Sequence, residues 1–132
     1  DDPARAGLAV FRDRCEDCHQ ATTTTRGAPA EPFDAWASWL EDPRRDLVWA
    51  APFYYKTGIE PYFDPAGTQV PSLRRIENRY PYFSDGSARD LEEALRSFRY
   101  RGSQAWHRGG PSDSIPLRTE EREALAALLH YF

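Results

Sequence analysis

The run Cys15-Glu16-Asp17-Cys18-His19 constrains this chain more than any other feature of its sequence. A C-x-x-C-H run is the attachment signature of c-type haem. Two thiols three positions apart can add to the two vinyl groups of one porphyrin, and the adjacent His19 can bind the iron from one face. The run therefore predicts one covalently attached haem c, with Cys15 and Cys18 as the attachment points and His19 as the proximal iron ligand.

Two other kinds of site also use a C-x-x-C pair. A redox-active dithiol of the thioredoxin type accompanies a βαβ unit, and the residues before Cys15 do not have that pattern. A structural zinc site needs a second pair of ligands, and the remaining histidines, His107 and His130, stand far away in the sequence and alone. The sequence favours haem over both.

Length and charge set further limits. A chain of 132 residues suits a single domain covering 1–132. No run approaches the ~20 apolar residues of a membrane span. The net charge of −4 argues against nucleic acid as a partner. The chain starts at Asp1 without a leader, and covalent haem is attached outside the bacterial cytoplasm. We therefore expect a mature exported protein, periplasmic or otherwise, whose signal peptide has been removed.

Helical periodicity is clearest at the two ends of the chain. Asp2 can cap a first helix that has Pro3 at its first position. Gly7 lies on this helix and would let another helix cross closely. The last segment has Thr119 as the predicted N-cap and an apolar face made of Leu125, Leu128, Leu129 and Phe132. We expect these two helices to cross at Gly7.

The middle of the chain predicts two more helices and a long loop. One helix covers about Asp90 to Phe98, because Asp90 and Glu93 have capping-box spacing. A shorter helix covers Asp34 to Leu40. The segment from Leu47 to Tyr82 is rich in Pro, Gly and aromatic residues, and we expect an ordered loop that buries its aromatics against a flat apolar group.

This order of elements resembles a class I cytochrome c fold. Three consecutive strings in the second half, Val70–Ile76, Tyr80–Gly86 and Leu91–Leu95, resemble the C-terminal haem domain of the bacterial di-haem cytochrome c peroxidase family. The resemblance implies an all-α fold of four or five helices, with crossing terminal helices and long ordered loops around one haem.

The chain departs from that family around the second face of the iron. It has one C-x-x-C-H run where the family has two, and Ser84 stands where the family commonly has His. The family's distal ligand falls, by counting, on Phe98, which cannot bind iron. The chain has no methionine, so the His/Met ligation of many small cytochromes is excluded.

His107, in the loop after the third helix, is the predicted distal ligand, because distal ligands in this fold come from that part of the chain. Tyr100 is the second candidate, and a surface position is expected for His130. An open or water-filled sixth position is the remaining alternative.

Further cofactor-binding residues follow from position and resemblance. Pro29 sits where class I cytochromes have a Gly-Pro loop beneath the proximal His. Arg74 and Arg75 follow a stretch that lines the haem in the resembling family, and either guanidinium could pair with a propionate. Phe98 and Tyr100 complete the predicted haem surroundings.

These observations predict an exported mono-haem c-type cytochrome that exchanges electrons with a partner oxidoreductase, with non-Met and preferably His/His ligation. No catalytic residues are assigned, so an electron-transfer protein is favoured over an enzyme. The chain could also be a subunit or domain of a larger oxidoreductase. The alternative is a one-haem peroxidase-like enzyme or a gas-binding haem domain with an open or weakly held distal site.

Overall fold

A computed structural model describes residues 2–19, 21–23, 47–49 and 54–132, with 21–23 and 47–49 described as backbone alone. Three α-helices are present in these ranges: α1 (Pro3–Arg14), α2 (Leu91–Ser97) and α3 (Thr119–Leu129). A 3₁₀ turn covers Ile76–Asn78. Seven short strands complete the described elements: β1 (Ala21–Thr23), β2 (Leu47–Trp49), β3 (Tyr54–Tyr55), β4 (Thr68–Gln69), β5 (Arg99–Arg101), β6 (Gln104–Trp106) and β7 (Ile115–Pro116).

Helices α1 and α3 pack against each other, as their sequence pattern predicts. The Asp2 carboxylate accepts the Ala4 amide N–H at 3.0 Å and caps α1, with Pro3 at its first position. At Gly7 the two helices approach so closely that an added Cβ would lie 2.1 Å from the Ala124 carbonyl oxygen. The buried residues of both helices form one core: Ala4, Leu8, Phe11, Leu125, Leu128, Leu129 and Phe132, joined by Leu73, Phe98 and Leu117.

The start of α3 differs from the prediction by one residue. Arg118 is the N-cap and Thr119 is already helical. The Glu121 carboxylate explains the shift, because it accepts the Arg118 amide N–H at 2.8 Å and so satisfies the backbone one residue earlier. Helix α2 begins as predicted, with the Asp90 carboxylate accepting the Glu93 N–H at 2.8 Å and Phe98 as its C-cap.

The described strands form three small antiparallel sheets. β1 pairs with β2, β3 pairs with β4, and β5 lies between β6 and β7. In the three-stranded sheet Tyr100 stands opposite Ala105 and Ile115. The β5–β6 hairpin turns at Gly102, whose φ of 57° is the left-handed conformation that glycine adopts without strain.

The all-α prediction of a cytochrome c fold with four or five helices is wrong. The described residues form a mixed α/β structure in which three helices are joined by seven strands of two or three residues each. Strands this short carry too few residues for an alternating apolar pattern, so hydrophobic periodicity detected only the helices. The predicted helix over 34–40 lies outside the described residues.

The segment from 47 to 82 is likewise not one long loop. It contains β2, β3, β4 and the 3₁₀ turn. The expectation that its aromatics are buried is also wrong in part, since the Phe63 side chain is 94% exposed and Tyr54 and Tyr55 are exposed as well. The buried apolar residues in the described part of this segment are instead Ile59, Val70, Leu73 and Tyr82.

Glu93 gives α2 a pH-dependent contribution to stability. Its carboxylate accepts hydrogen bonds from the Arg89 backbone N–H at 2.8 Å and from Arg89 Nε at 3.0 Å, and these lower the Glu93 pKa to about 2 from its ordinary value of 4.5. Because the folded pKa is depressed, the stabilisation is complete above pH 4.5 and disappears as the pH falls through about 2.

We therefore expect Glu93→Gln to lower the urea midpoint near neutral pH, with the difference from wild type closing between pH 4.5 and about 2. Urea titrations of both proteins across this range measure it. Glu123→Gln, which alters an exposed carboxylate on α3, is the control. A difference that stayed constant with pH would contradict the assignment.

Candidate functional site

A cavity of about 410 Å³ lies between the end of α1, helix α2 and the β6 strand. This volume is within the roughly 300–1,000 Å³ that cofactor sites occupy. Its walls are mainly apolar and draw on all three helices, for example Phe11, Leu73, Leu91, Leu95, Phe98 and Leu129. Four side chains that the sequence singled out face it as well: Cys15, Cys18, His19 and His107.

The two cysteines stand on the turn that ends α1. The Cys15 amide N–H donates to the Phe11 carbonyl at 2.8 Å, and the His19 N–H donates to the Cys15 carbonyl at 2.7 Å, so the helical path continues through the run. Both thiols are free. Burial raises the pKa of Cys15 to about 12, and burial raises that of Cys18 although the Tyr55 hydroxyl is hydrogen-bonded to it. Thiols with raised pKa values are poor thiolate nucleophiles, which argues against a redox dithiol.

His19 is held by a backbone carbonyl on its far side. Its Nδ1 lies 3.3 Å from the Pro71 carbonyl oxygen, to which the ring N–H donates. Burial lowers the His19 pKa to about 4, against the smaller opposing effect of that hydrogen bond. The ring is therefore neutral near pH 7, with one nitrogen committed to Pro71 and Nε2 left for a metal ion.

His107 directly follows β6, and its side chain lines the same cavity as His19. Its Nδ1 is buried and has no hydrogen-bond partner in the described part of the structure. Burial is the larger cause that lowers the His107 pKa to about 4, and the nearby His19 contributes to the same shift. This imidazole is therefore also neutral near pH 7. Buried polar atoms are normally paired, so an unpaired imidazole nitrogen beside a cavity is a candidate metal ligand.

The spacing of the two imidazoles is compatible with one metal ion between them. Their ring centroids are 6.0 Å apart and their planes are inclined by 69°. A metal–imidazole bond is about 2.0–2.1 Å long, which puts the centroids of two imidazoles on opposite sides of one ion roughly 6 Å apart. The rings of Phe83 and Phe98 flank His107 at 5.4 and 5.8 Å and limit where its imidazole can turn.

The structure separates the two distal candidates. Tyr100 is not among the cavity-lining residues, and its ring lies under the Arg14 guanidinium, 4.0 Å from Cζ to the ring centroid. Its ring therefore packs against Arg14 at the end of α1. His130 is exposed at the end of α3 and is paired with Glu77. Of the three histidines, only His19 and His107 share the cavity.

The remaining predicted residues fall in different places. Phe98 lines the cavity. Arg74 and Arg75 do not line it, and the Arg75 amide N–H instead donates to the Phe132 carbonyl at 2.5 Å, which ties this turn to the chain end. Pro29 lies outside the described residues.

Sequence reasoning missed several contributors to the cavity. Pro71 supplies the carbonyl that holds His19, and the two arginines that line the cavity are Arg14 and Arg79. Arg14 had a usable signal, because it directly precedes Cys15. The Pro71 carbonyl had none, since a backbone acceptor brought by a distant loop leaves no trace in residue type.

No family model, curated protein or solved structure matches the chain. Within the described ranges, no group of three or more His, Cys, Asp or Glu side chains is gathered around a common point where a metal ion could sit. None of the described helices is long and apolar enough to cross a bilayer.

Proposed function

We propose that this chain is an exported mono-haem c-type cytochrome that carries single electrons to or from a partner oxidoreductase. The 6.0 Å separation of the His19 and His107 rings carries the proposal, because two imidazoles at this distance could both bind one iron. The C-x-x-C-H run supplies the covalent attachment, and the apolar cavity beside it supplies the space. The mixed α/β fold is compatible with this role, since function resides in the site and not in the fold.

The haem would contribute a one-electron ferric/ferrous couple. Cys15 and Cys18 would hold it as thioethers at the end of α1. His19 would bind one face, kept in a single ring orientation by the Pro71 carbonyl, which also makes the imidazole a stronger donor. His107 would bind the other face between Phe83 and Phe98.

Two neutral imidazole ligands suit a carrier better than a catalyst. If His19 and His107 both bound the iron, a substrate such as peroxide would find no free coordination site. Burial keeps both imidazoles uncharged near pH 7, so neither must lose a proton to bind. The mainly apolar walls of the cavity would reduce the solvent rearrangement that accompanies a change in the charge of a bound iron.

The direct test is production of the chain in a bacterial periplasm with haem-attachment machinery. We expect the purified protein to gain the mass of one haem, to keep the haem in denaturing gels, and to cycle between two oxidation states. The Cys15→Ala/Cys18→Ala double variant is the matched control and should retain no haem after denaturation. A wild-type protein without covalent haem, or one with peroxidase turnover well above that of free haem, would refute the proposal.

A further inference from the structure

The backbone at His107 is hydrogen-bonded to Thr57, which lies two residues after β3. The His107 and Arg108 amide N–H groups both donate to the Thr57 carbonyl, at 2.9 and 3.3 Å. The next residue, Gly58, is so close that an added Cβ would lie 1.8 Å from the Arg108 carbonyl oxygen. These contacts fix the backbone at the end of β6. They do not reach the chain after Arg108.

The residue directly after Arg108 is a glycine in open space. Gly109 has a φ of 73°, and an added Cβ would meet nothing within 4 Å, whereas Gly110 packs against the Trp106 ring. Because glycine gives the backbone at position 109 alternative paths, a neighbouring side-chain anchor contributes to how firmly the His107 end of β6 is held. Arg108 is the residue placed to provide that anchor.

The Arg108 side chain forms an ion pair with Asp85, in the turn whose Phe83 ring packs against His107. Arg108 Nη1 lies 2.9 Å from Asp85 Oδ2. Asp85 belongs to a turn in which Phe83 adopts φ 69°, a left-handed conformation that is unfavourable for a bulky residue. That conformation places the Phe83 ring 5.4 Å from the His107 ring. The second Asp85 oxygen accepts the Ser87 N–H at 3.0 Å, so the carboxylate is itself oriented by its own turn.

We propose that Asp85 is a positioning residue for the distal ligand, acting through Arg108 to hold His107 on the iron. This inference rests on the proposed haem function and adds to it the control of the sixth coordination site. Asp85 does not touch the ligand ring. Its role is to raise the fraction of time that His107 is bound, which lowers the apparent affinity of competing small ligands such as cyanide.

The solvent exposure of the Arg108–Asp85 ion pair limits how much its loss can change cyanide binding. The side chains of Arg108 and Asp85 are 45% and 25% exposed, and partly exposed ion pairs contribute at most about 1 kcal/mol, equivalent to about five-fold in an equilibrium. Loss of the pair should therefore leave the fold intact and shift ligand competition several-fold. A ligand-binding titration measures this effect where a stability measurement would not resolve it.

The experiment is cyanide titration of the ferric holoprotein, followed by absorption. We expect Asp85→Asn to bind cyanide up to about five-fold more tightly than wild type, because His107 leaves the iron more readily. Asparagine keeps an oxygen for the Ser87 N–H, so the turn is retained. Asp113→Asn is the matched control, since it breaks the Arg101–Asp113 pair at 3.0 Å. Asp113 lies further along the same β6–β7 connection, and its ion pair does not involve Arg108 or the Phe83 turn.

A double-mutant cycle isolates the pair. Arg108→Gln should raise cyanide affinity by a similar factor, and Asp85→Asn/Arg108→Gln should add little to either single change. Asp85→Glu should restore part of the wild-type behaviour. Equal cyanide affinities for wild type, Asp85→Asn and Asp113→Asn would overturn this inference alone, provided the wild-type spectrum shows two imidazole ligands. A wild-type spectrum without the second imidazole would overturn the proposed ligation together with it.

Discussion

Replacing His107 with alanine should convert the ferric protein from a low-spin to a high-spin state. Imidazole is a strong-field ligand, and in the proposed haem protein its loss would leave water or no ligand on the second face of the iron. Absorption and EPR spectra of wild type and His107→Ala measure the change. External imidazole should restore the low-spin spectrum, because it refills the volume that the deleted ring occupied beside Phe83 and Phe98.

The inclination of the two rings adds a finer expectation. The planes of His19 and His107 meet at 69°, which is closer to perpendicular than to parallel. Crossed imidazole planes leave two of the iron d orbitals nearly equal in energy, so the wild-type ferric EPR signal should be strongly axial. Parallel planes would separate those orbitals and give a rhombic signal instead.

Two variants serve as controls for this prediction. His130→Ala removes the only remaining histidine, which is exposed and paired with Glu77, and should leave both spectra unchanged. Tyr100→Phe removes the hydroxyl of the second candidate for the distal ligand. It should also leave both spectra unchanged, since Tyr100 does not line the cavity. A low-spin spectrum that persisted in His107→Ala would refute the assignment of the distal ligand.

The parts of the structure that could be predicted are those encoded by neighbouring residues. The Asp2 cap of α1 and the Asp90 cap of α2 are local patterns, and each was predicted. The crossing of α1 and α3 was also predicted, because the missing side chain of Gly7 marks a place where another helix can approach. The strands were not predicted, but one hairpin had a readable signal. Gly102-Ser103 is a dipeptide typical of two-residue hairpin turns, and it follows Arg99-Tyr100-Arg101, in which polar and aromatic residues alternate.

The assembly of the site depends on contacts that span most of the chain. His19 and Pro71 meet across a separation of 52 residues, and His107 comes still later in the sequence. Residue type identified both histidines as possible ligands, because imidazole chemistry is intrinsic to the residue. It could not give their 6.0 Å spacing, which is set by where α1 ends relative to β6. Chemistry was thus predictable at each residue, whereas geometry required the fold.

The second large effect is expected at Gly7, where α1 and α3 are in closest contact. An alanine Cβ at this position would lie 2.1 Å from the Ala124 carbonyl oxygen and 2.9 Å from Leu128 Cβ. Backbone atoms cannot move aside as a flexible side chain would, so the helices must separate. Separation would loosen the contacts of Phe11, Leu125 and Leu128, which are almost completely buried.

Two opposing effects decide whether Gly7→Ala raises or lowers the free energy of unfolding. Glycine in a helix interior costs about 1 kcal/mol relative to alanine, so Gly7→Ala gains that amount from helix propensity. Overpacking a close-packed interface costs about 1–3 kcal/mol, and a clash with backbone falls at or above the upper end. We therefore expect Gly7→Ala to lower the free energy of unfolding by roughly 1–2 kcal/mol, and Gly7→Val to lower it further.

Urea denaturation of the holoprotein measures the change, and Ala6→Val is the control for added bulk. Ala6 is exposed on the neighbouring turn of α1, so its substitution adds volume where no helix faces it. A Gly7→Ala protein as stable as wild type would mean that the helices cross with more clearance than 2.1 Å implies. Because α1 ends at Arg14, directly before the attachment cysteines, separation of the helices should also displace Cys15. We therefore expect Gly7→Val, but not Ala6→Val, to reduce the fraction of protein that acquires covalent haem.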